Sequence, residues 1–328
     1  MSTKKIILFD QVHSRNKQEN LILNMTKVNR EIKKIKNLNK KIKSCIVCKS
    51  KRLDFFTIKY LHNIDRCEDC GHIFTNPYPS EKQINYYYNS SMKKFENDFF
   101  KETFNSRTNI FIPRAKLIKK LLKNKGNLLD IGAGIGIFFN AFKRIKTNID
   151  LTACDINQEA INLINSRFPE VNTLNCDFLN LDESKKYNCI TLWDTFEHLV
   201  NPAQFLNKIR KILKRNGYLV LSTPNTLSLE WAIAKENHVQ ILPPGHVNLY
   251  NCSNINLVFD KSFRVEDIHT LNGSLDVSYI QKYVSDKKDI NSIFWKKFLN
   301  DKDTLNNLAK KISNNNLAGN MMVIVKKV

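Results

Sequence analysis

From Gly126 onward the apolar and polar positions change rhythm at short intervals. NLLDI is a short apolar run, GAGIG is a glycine turn, and IFFNAFKR repeats apolar residues at helical spacing. LTAC before DIN, VNTLN before CDF, YNCITLW and GYLVLSTPN continue the short runs. A helical stretch, NPAQFLNKIRKILKRNG, separates the last two. Strands alternating with helices predict an α/β fold with a doubly wound, Rossmann-like parallel sheet that binds ligands at the carboxyl ends of its strands.

Upstream the rhythm is helical. Leu21, Met25, Val28, Ile32, Ile35 and Ile42 recur at steps of three and four, with Asn39 filling a gap, and predict a basic amphipathic helix within 1–43. Such a seam suits a homodimer contact, an anionic membrane surface, or packing on its own chain. Residues 81–125 read as a helical connector that Pro79 and Ser80 introduce. After strand five, Ser253 is placed to cap a helix over SNINLVFDKSF.

Between these stretches, at 44–80, Cys45 and Cys48 form one CxxC, and Cys67 and Cys70 form another after eighteen intervening residues. Each pair puts two thiolates on one tight turn, and two such turns predict a closed structural zinc site of zinc-ribbon type. His62 and His72 lie nearby and are not needed as ligands. Cys154, Cys176, Cys189 and Cys252 have no ligand spacing and read as core thiols.

Composition refines the picture. The 328 residues carry a net charge of +21, which invites a nucleic-acid reading. Residues 1–43 hold 12 Lys and Arg against 3 Asp and Glu, so the excess is concentrated in a tail, and nucleic acid is not the favoured partner. The start, MSTKKIILFD, has too short an apolar run for a secretory signal, no run approaches a bilayer span, and the expected compartment is the cytoplasm.

The strand ends carry the chemistry. Asp130 precedes Gly132, Gly134 and Gly136 in D-x-G-x-G-x-G, a turn that exposes backbone amides. A pyrophosphate would be repelled by Asp130, whereas S-adenosylmethionine (SAM), with its ammonium and sulfonium, would be attracted. Asp155 ends the second strand, where a carboxylate accepts both hydroxyls of a ribose. Asp177 ends the third, within reach of an adenine amino group. Ala133, Ile156 and Phe178 join them in the expected cofactor pocket.

LLDIGAGIG, CDIN, NCDF, DTFEHLVNP, LKRNGYLVLSTPN and GHVNLYN make residues 126–270 resemble a class I SAM-dependent methyltransferase of the ubiquinone-biosynthesis O-methyltransferase-like group. The four-cysteine module followed by FTNPYPS is similar to bacterial methyltransferases that modify sugars or surface glycans. The resemblance implies a domain over 126–328 with a seven-stranded sheet whose last strand, NMMVIVKKV, is antiparallel. FRVEDIHTL would be strand six, and a helical insertion would fill about 272–317. It also implies Trp193 beside the adenosine and Asp194 near the methionine part of the cofactor. The sugar C-methylating kind continues into a further domain for which no sequence remains, so C-methylation is not expected.

The fourth strand narrows the reaction. Enzymes that methylate exocyclic amines or Gln side chains carry N/D-P-P-Y there, whereas this chain has W-D-T-F-E-H. A small-molecule or saccharide oxygen is the expected acceptor, with RNA or protein as the alternative. Glu197 and His198 are either a catalytic pair or shape the loop. His246, presented by Pro243, Pro244 and Gly245, is either a general base or a loop-packing histidine, and His238 is a weaker candidate.

Overall fold

Ser80 starts a helix as its sequence demands. Its hydroxyl accepts from the Gln83 amide, and the Gln83 side chain accepts from the Ser80 amide, a reciprocal cap over Glu81–Tyr88. Helices Ser91–Glu102 and Phe104–Leu121 complete the connector. The structure is a computed structural model that describes residues 15–271, 273–285 and 290–328.

Its strands, in chain order, are β1 (Leu53–Lys59), β2 (His62–Cys67), β3 (Ile73–Thr75), β4 (Asn127–Ile131), β5 (Asp150–Asp155), β6 (Asn172–Asn175), β7 (Tyr187–Trp193), β8 (Leu213–Pro224), β9 (Asn248–Leu249), β10 (Phe263–Leu271) and β11 (Asn320–Lys327). They form two sheets, β1-β2-β3-β9 and β10-β11-β8-β7-β4-β5-β6. The chain divides into two compact units. One gathers residues from 1–93, 224–255 and 269–322, and the other from 94–223, 256–268 and 323–328.

The second unit holds most of the seven-stranded sheet. β4 through β8 pair in parallel, and the sheet is mostly parallel with one antiparallel strand. Leu128, Leu129, Ile190, Leu192, Leu219 and Leu221 are all fully buried, which explains why these strands read as unbroken apolar runs. On one side lies helix Ile137–Ile145, where Phe138 meets Phe142 edge-on with ring centres 4.9 Å apart.

In the first unit the four-cysteine segment is the β1–β3 meander, and β3 pairs antiparallel with β9, setting Ile73 opposite Leu249. Ile64, Ile73, Trp231, Ile241 and Leu249 pack as one cluster. Residues 224–255, which the resemblance counts within the domain over 126–328, thus share a core with the cysteine module. Helices Gly273–Ser285, Ile290–Phe298 and Lys302–Asn314 occupy the expected insertion, of which 272 and 286–289 lie outside the described residues. Strands β10 and β11 fall where the resemblance put strands six and seven.

Two expectations change. The N-terminal helix, Arg15–Lys34, ends before Ile42, because Asn37 and Asn39 turn their amides to the Tyr78 and Pro79 carbonyls. Residues 1–14 of the expected helix lie outside the described residues. Its seam residues Met25, Val28 and Ile32 are buried by the same chain, and Asn29 between them donates to the Pro243 carbonyl and meets His62. Beyond Ser253 there is only a single tight turn, Ile255–Val258, because the Asn251 and Asn254 side chains bond the Cys70 carbonyl instead of leading into a helix. Among the described residues no helix is long and apolar enough to cross a membrane.

Candidate active site

The glycine turn follows β4 and is held by β5. The Gly132 and Ala133 amides donate to the Cys154 carbonyl at 2.9 and 3.3 Å, and the Gly134 amide donates to Asp155 Oδ2 at 2.8 Å. Gly136, also left-handed, begins helix Ile137–Ile145. A Cβ on Gly132, whose φ is +71°, would sit 2.6 Å from Thr195 Oγ1, whereas one on Gly134 would meet nothing within 4 Å. The turn is therefore clamped at Gly132 and open at Gly134, the kind of cradle a ligand fills. Gly132→Ala is expected to lower the melting temperature by roughly 5 °C or more, since clash adds to left-handed strain. Gly134→Ala, with strain alone, should fall by less, and thermal melts of the two variants check the order.

The three carboxylates differ in setting. Asp130 is almost fully buried, and its Oδ1 accepts from Thr191 Oγ1 at 2.6 Å. Burial, reinforced by Asp155, pushes its carboxyl up to about 8. Asp155 is half-buried at the end of β5, and besides Gly134 it accepts from the Asn157 amide through Oδ1 at 2.8 Å. Asp177 is exposed and caps the turn Phe178–Asn180 by accepting from the Leu179 amide. Ile156 is exposed beside Asp155, while the Phe178 ring is buried against Phe205, which leaves only its backbone for a ligand.

At the end of β7, Asp194 adopts φ +50°, an uncommon conformation for a residue with a side chain. Its amide donates to the Ser222 carbonyl at 3.0 Å, and its Oδ1 accepts from Ser222 Oγ at 2.9 Å. Two arginines of helix Phe104–Leu121 that local patterning misses feel this carboxylate. Arg114 is buried, stacks over Phe111 and Trp193 at 4.6 and 5.0 Å, and is attracted by Asp194. Arg107 packs on Phe99 and Phe100, and burial outweighs Asp194 to bring it down to about 10. Arg114 Nε and Trp193 Nε1 are buried without a hydrogen-bond partner among the described residues. Buried unsatisfied donors are costly, and they mark a place where a polar ligand group belongs. A stretch read only as a helical connector hid both cations; the signal was Arg114 between the apolar Ile110 and Ala115.

Glu197 lies in the turn Phe196–His198, fully buried, with Oε2 accepting from Thr223 Oγ1 at 2.9 Å. Burial, then the Asp194 charge, pushes it up to about 8. His198 is half-buried in the same turn. In the first unit, His246 Nδ1 lies 2.9 Å from the Gln240 carbonyl. A carbonyl only accepts, so Nδ1 carries the proton and Nε2 is the basic nitrogen. His238 has both nitrogens engaged, donating from Nε2 to Glu230 at 3.1 Å and accepting the Gln240 amide at Nδ1.

Asp130 and Glu197 set a pH dependence. Both folded values lie above the unfolded ones, so the folded chain binds extra protons, and stability from these groups is full below about pH 4 and lost as pH rises through about 8. The ligand-free melting temperature is expected to fall between pH 6 and pH 9, and to fall less in Glu197→Gln. An identical pH slope in the variant would remove Glu197 from this account.

The cysteine pairs converge. Cys48 Sγ lies 3.5 Å from Cys67 Sγ and Cys45 Sγ lies 3.7 Å from Cys70 Sγ, and all four sulfurs fall within 4.8 Å of one another. Zinc with metal–sulfur bonds of about 2.3 Å separates tetrahedral sulfurs by about 3.8 Å, so the donor set fits it. The turns are tight because the Lys49 amide donates to the Cys45 carbonyl and the Gly71 amide to the Cys67 carbonyl. Buried His72 places Nδ1 3.7 Å from Cys45 Sγ, beside the sulfur cluster.

Comparison with known proteins bears on both units, the second above all. Residues 107–262 match the family model of a methyltransferase domain. The ubiquinone biosynthesis O-methyltransferase of Glaesserella parasuis serovar 5 (strain SH0165) is 30% identical over 138 residues, which is 37% of this chain and 56% of that protein. The malonyl-[acyl-carrier protein] O-methyltransferase of Paenibacillus sp. (strain JDR-2) is 28% identical over 128 residues, 36% of this chain and 46% of that protein. The chain thus spans about half the length of the curated relatives it matches. Among solved structures, the plantazolicin methyltransferase BpumL in complex with SAH is similar with a TM-score of 0.49 at 16% identity, covering 74% of this chain and 91% of that one.

Proposed function

We propose, from the match of residues 107–262 to the family model of a methyltransferase domain, that the chain is a SAM-dependent methyltransferase acting on an oxygen of a small molecule or saccharide. The observation that carries this reading is the row of strand ends, with an open glycine cradle, Asp155 and Asp177 on one side and the Asp194–Arg114 pair on the other. SAM supplies an electrophilic methyl on a sulfonium. Asp155 would accept the ribose hydroxyls and Asp177 the adenine amino group, with Ile156 and Trp193 as apolar walls. Asp194 would take the ammonium and the Arg114 guanidinium the carboxylate, while Asp130, held protonated by burial below about pH 8, would support the turn from behind rather than add charge.

Methyl transfer from a sulfonium needs alignment and, for a hydroxyl acceptor, removal of one proton. We assign that proton to Nε2 of His246, with His198 as the competing base and Glu197 as its polar neighbour. The four cysteines would hold a structural zinc ion. The similarity of the cysteine module to that of sugar-modifying enzymes favours a saccharide of surface glycan synthesis, and the absence of N/D-P-P-Y favours oxygen over an amine. Labelled SAM incubated with fractionated host extract tests the acceptor. Label in glycans or nucleotide sugars is the expected result; label in RNA or protein would transfer the function to the alternative reading, which the +21 charge favours.

A further inference from the structure

β5 ends in Cys-Asp, and the same pair follows directly after β6. Cys154 immediately precedes Asp155 on β5, and Cys176 immediately precedes Asp177 just after β6. β5 and β6 pair in parallel, with Asp155 opposite Asn175, and this register brings the two thiols together. Their sulfurs lie 3.9 Å apart, and Cys154 Sγ points to the Cys176 carbonyl at 3.6 Å. Cys154 is buried and Cys176 is half-buried, so one thiol of the pair is open to a small oxidant. Neither belongs to the four-cysteine cluster, and no step of methyl transfer uses them.

We propose that Cys154 and Cys176 are a redox modification site at which hydrogen peroxide forms a disulfide and thereby lowers the affinity for the cofactor. The Cys176 thiol loses its proton, the thiolate attacks hydrogen peroxide, the O–O bond breaks, and the chain gains a sulfenic acid while the departing hydroxide takes up that proton and leaves as water. The Cys154 sulfur then attacks the sulfenic sulfur, the S–O bond breaks, and the departing hydroxide takes the Cys154 proton as a second water. Two thiols are oxidised by two electrons and one peroxide is reduced. A disulfide needs the sulfurs about 2.05 Å apart, so the pair must close by nearly half its present separation. Burial pushes the Cys154 thiol up, which suits it to the second step rather than the first.

Closure is coupled to the cofactor cradle by the backbone. The Cys154 carbonyl holds the Gly132 and Ala133 amides, and Asp155 holds the Gly134 amide. Drawing Cys154 toward β6 therefore pulls on the glycine turn and on both carboxylates at once. In a reducing compartment such a bond would be transient, as redox-sensing disulfides are. The effect on affinity rests on the SAM reading; formation of the cross-link does not.

The test uses the full, zinc-loaded chain, reduced and then treated with hydrogen peroxide. Peptide mapping without reductant is expected to show Cys154 joined to Cys176. Calorimetry with SAH is expected to show at least a tenfold loss of affinity that dithiothreitol restores. Cys176→Ser should bind SAH like the wild type when reduced and keep that affinity after peroxide. No 154–176 cross-link, or a cross-link with unchanged SAH affinity, would overturn the proposal. So would an equal loss in Cys176→Ser, because the damage would then lie elsewhere, as at the four-cysteine cluster. If the reduced wild type fails to bind SAH, the cofactor reading fails, and the mapping still decides whether the cross-link forms.

Discussion

Asp155→Ala is expected to weaken SAH binding about a hundredfold with little change in the thermal melt. Each charge-assisted hydrogen bond from a ribose hydroxyl to a carboxylate contributes about 1.5–3 kcal/mol, and about 1.4 kcal/mol is a factor of ten. The same carboxylate fixes the cradle, since it accepts from Gly134 and Asn157 at 2.8 Å each. It is only half-buried, so its loss leaves no large cavity. Asp155→Asn retains one acceptor oxygen and should fall between the two, near tenfold. A loss under threefold for Asp155→Ala, measured by calorimetry at equal protein quality, would mean that the ligand does not rest on this carboxylate.

Removing zinc is expected to act on a different part of the reaction. Structural zinc contributes folding free energy directly, and its ligands are useless for packing without it. The cysteine turns hold residues from the far end of the chain: Asn251 and Asn254 donate to the Cys70 carbonyl, and β9 pairs with β3 beside them. His246 lies two residues before β9. Cys67→Ser, or a strong chelator, should release the metal and lower the melting temperature by roughly 10 °C or more. It should also reduce turnover more than SAH affinity, because every residue assigned to the cofactor lies outside this unit. Metal analysis of the purified wild type should give one zinc per chain; a metal-free protein of unchanged melt would contradict the structural role.

Much of the second unit is written in local pattern. The run NLLDI, the glycine turn and the apolar face of IFFNAFKR fall where the structure has β4, the turn and helix Ile137–Ile145. The acidic strand ends were legible for the same reason, since a carboxylate directly after an apolar run has few other uses. What escaped was set by distant contacts. Periodicity has no means of showing that Ile73 would pair with Leu249, so residues 224–255 count within the 126–328 domain that the resemblance implies. Asn39 read as a gap in a helical seam, whereas its amide bonds the Tyr78 and Pro79 carbonyls and helps end the helix early. Arg114 lies in a stretch read only as a helical connector, yet the fold buries it over Trp193 and within the field of Asp194.

The central claim is that the strand ends of the second unit form a SAM pocket. Calorimetric titration of the reduced, zinc-loaded chain with SAM tests it most directly. The account predicts saturable one-to-one binding that SAH competes away and that Asp155→Ala weakens about a hundredfold. No heat and no competition, with zinc in place and the melt intact, would contradict it.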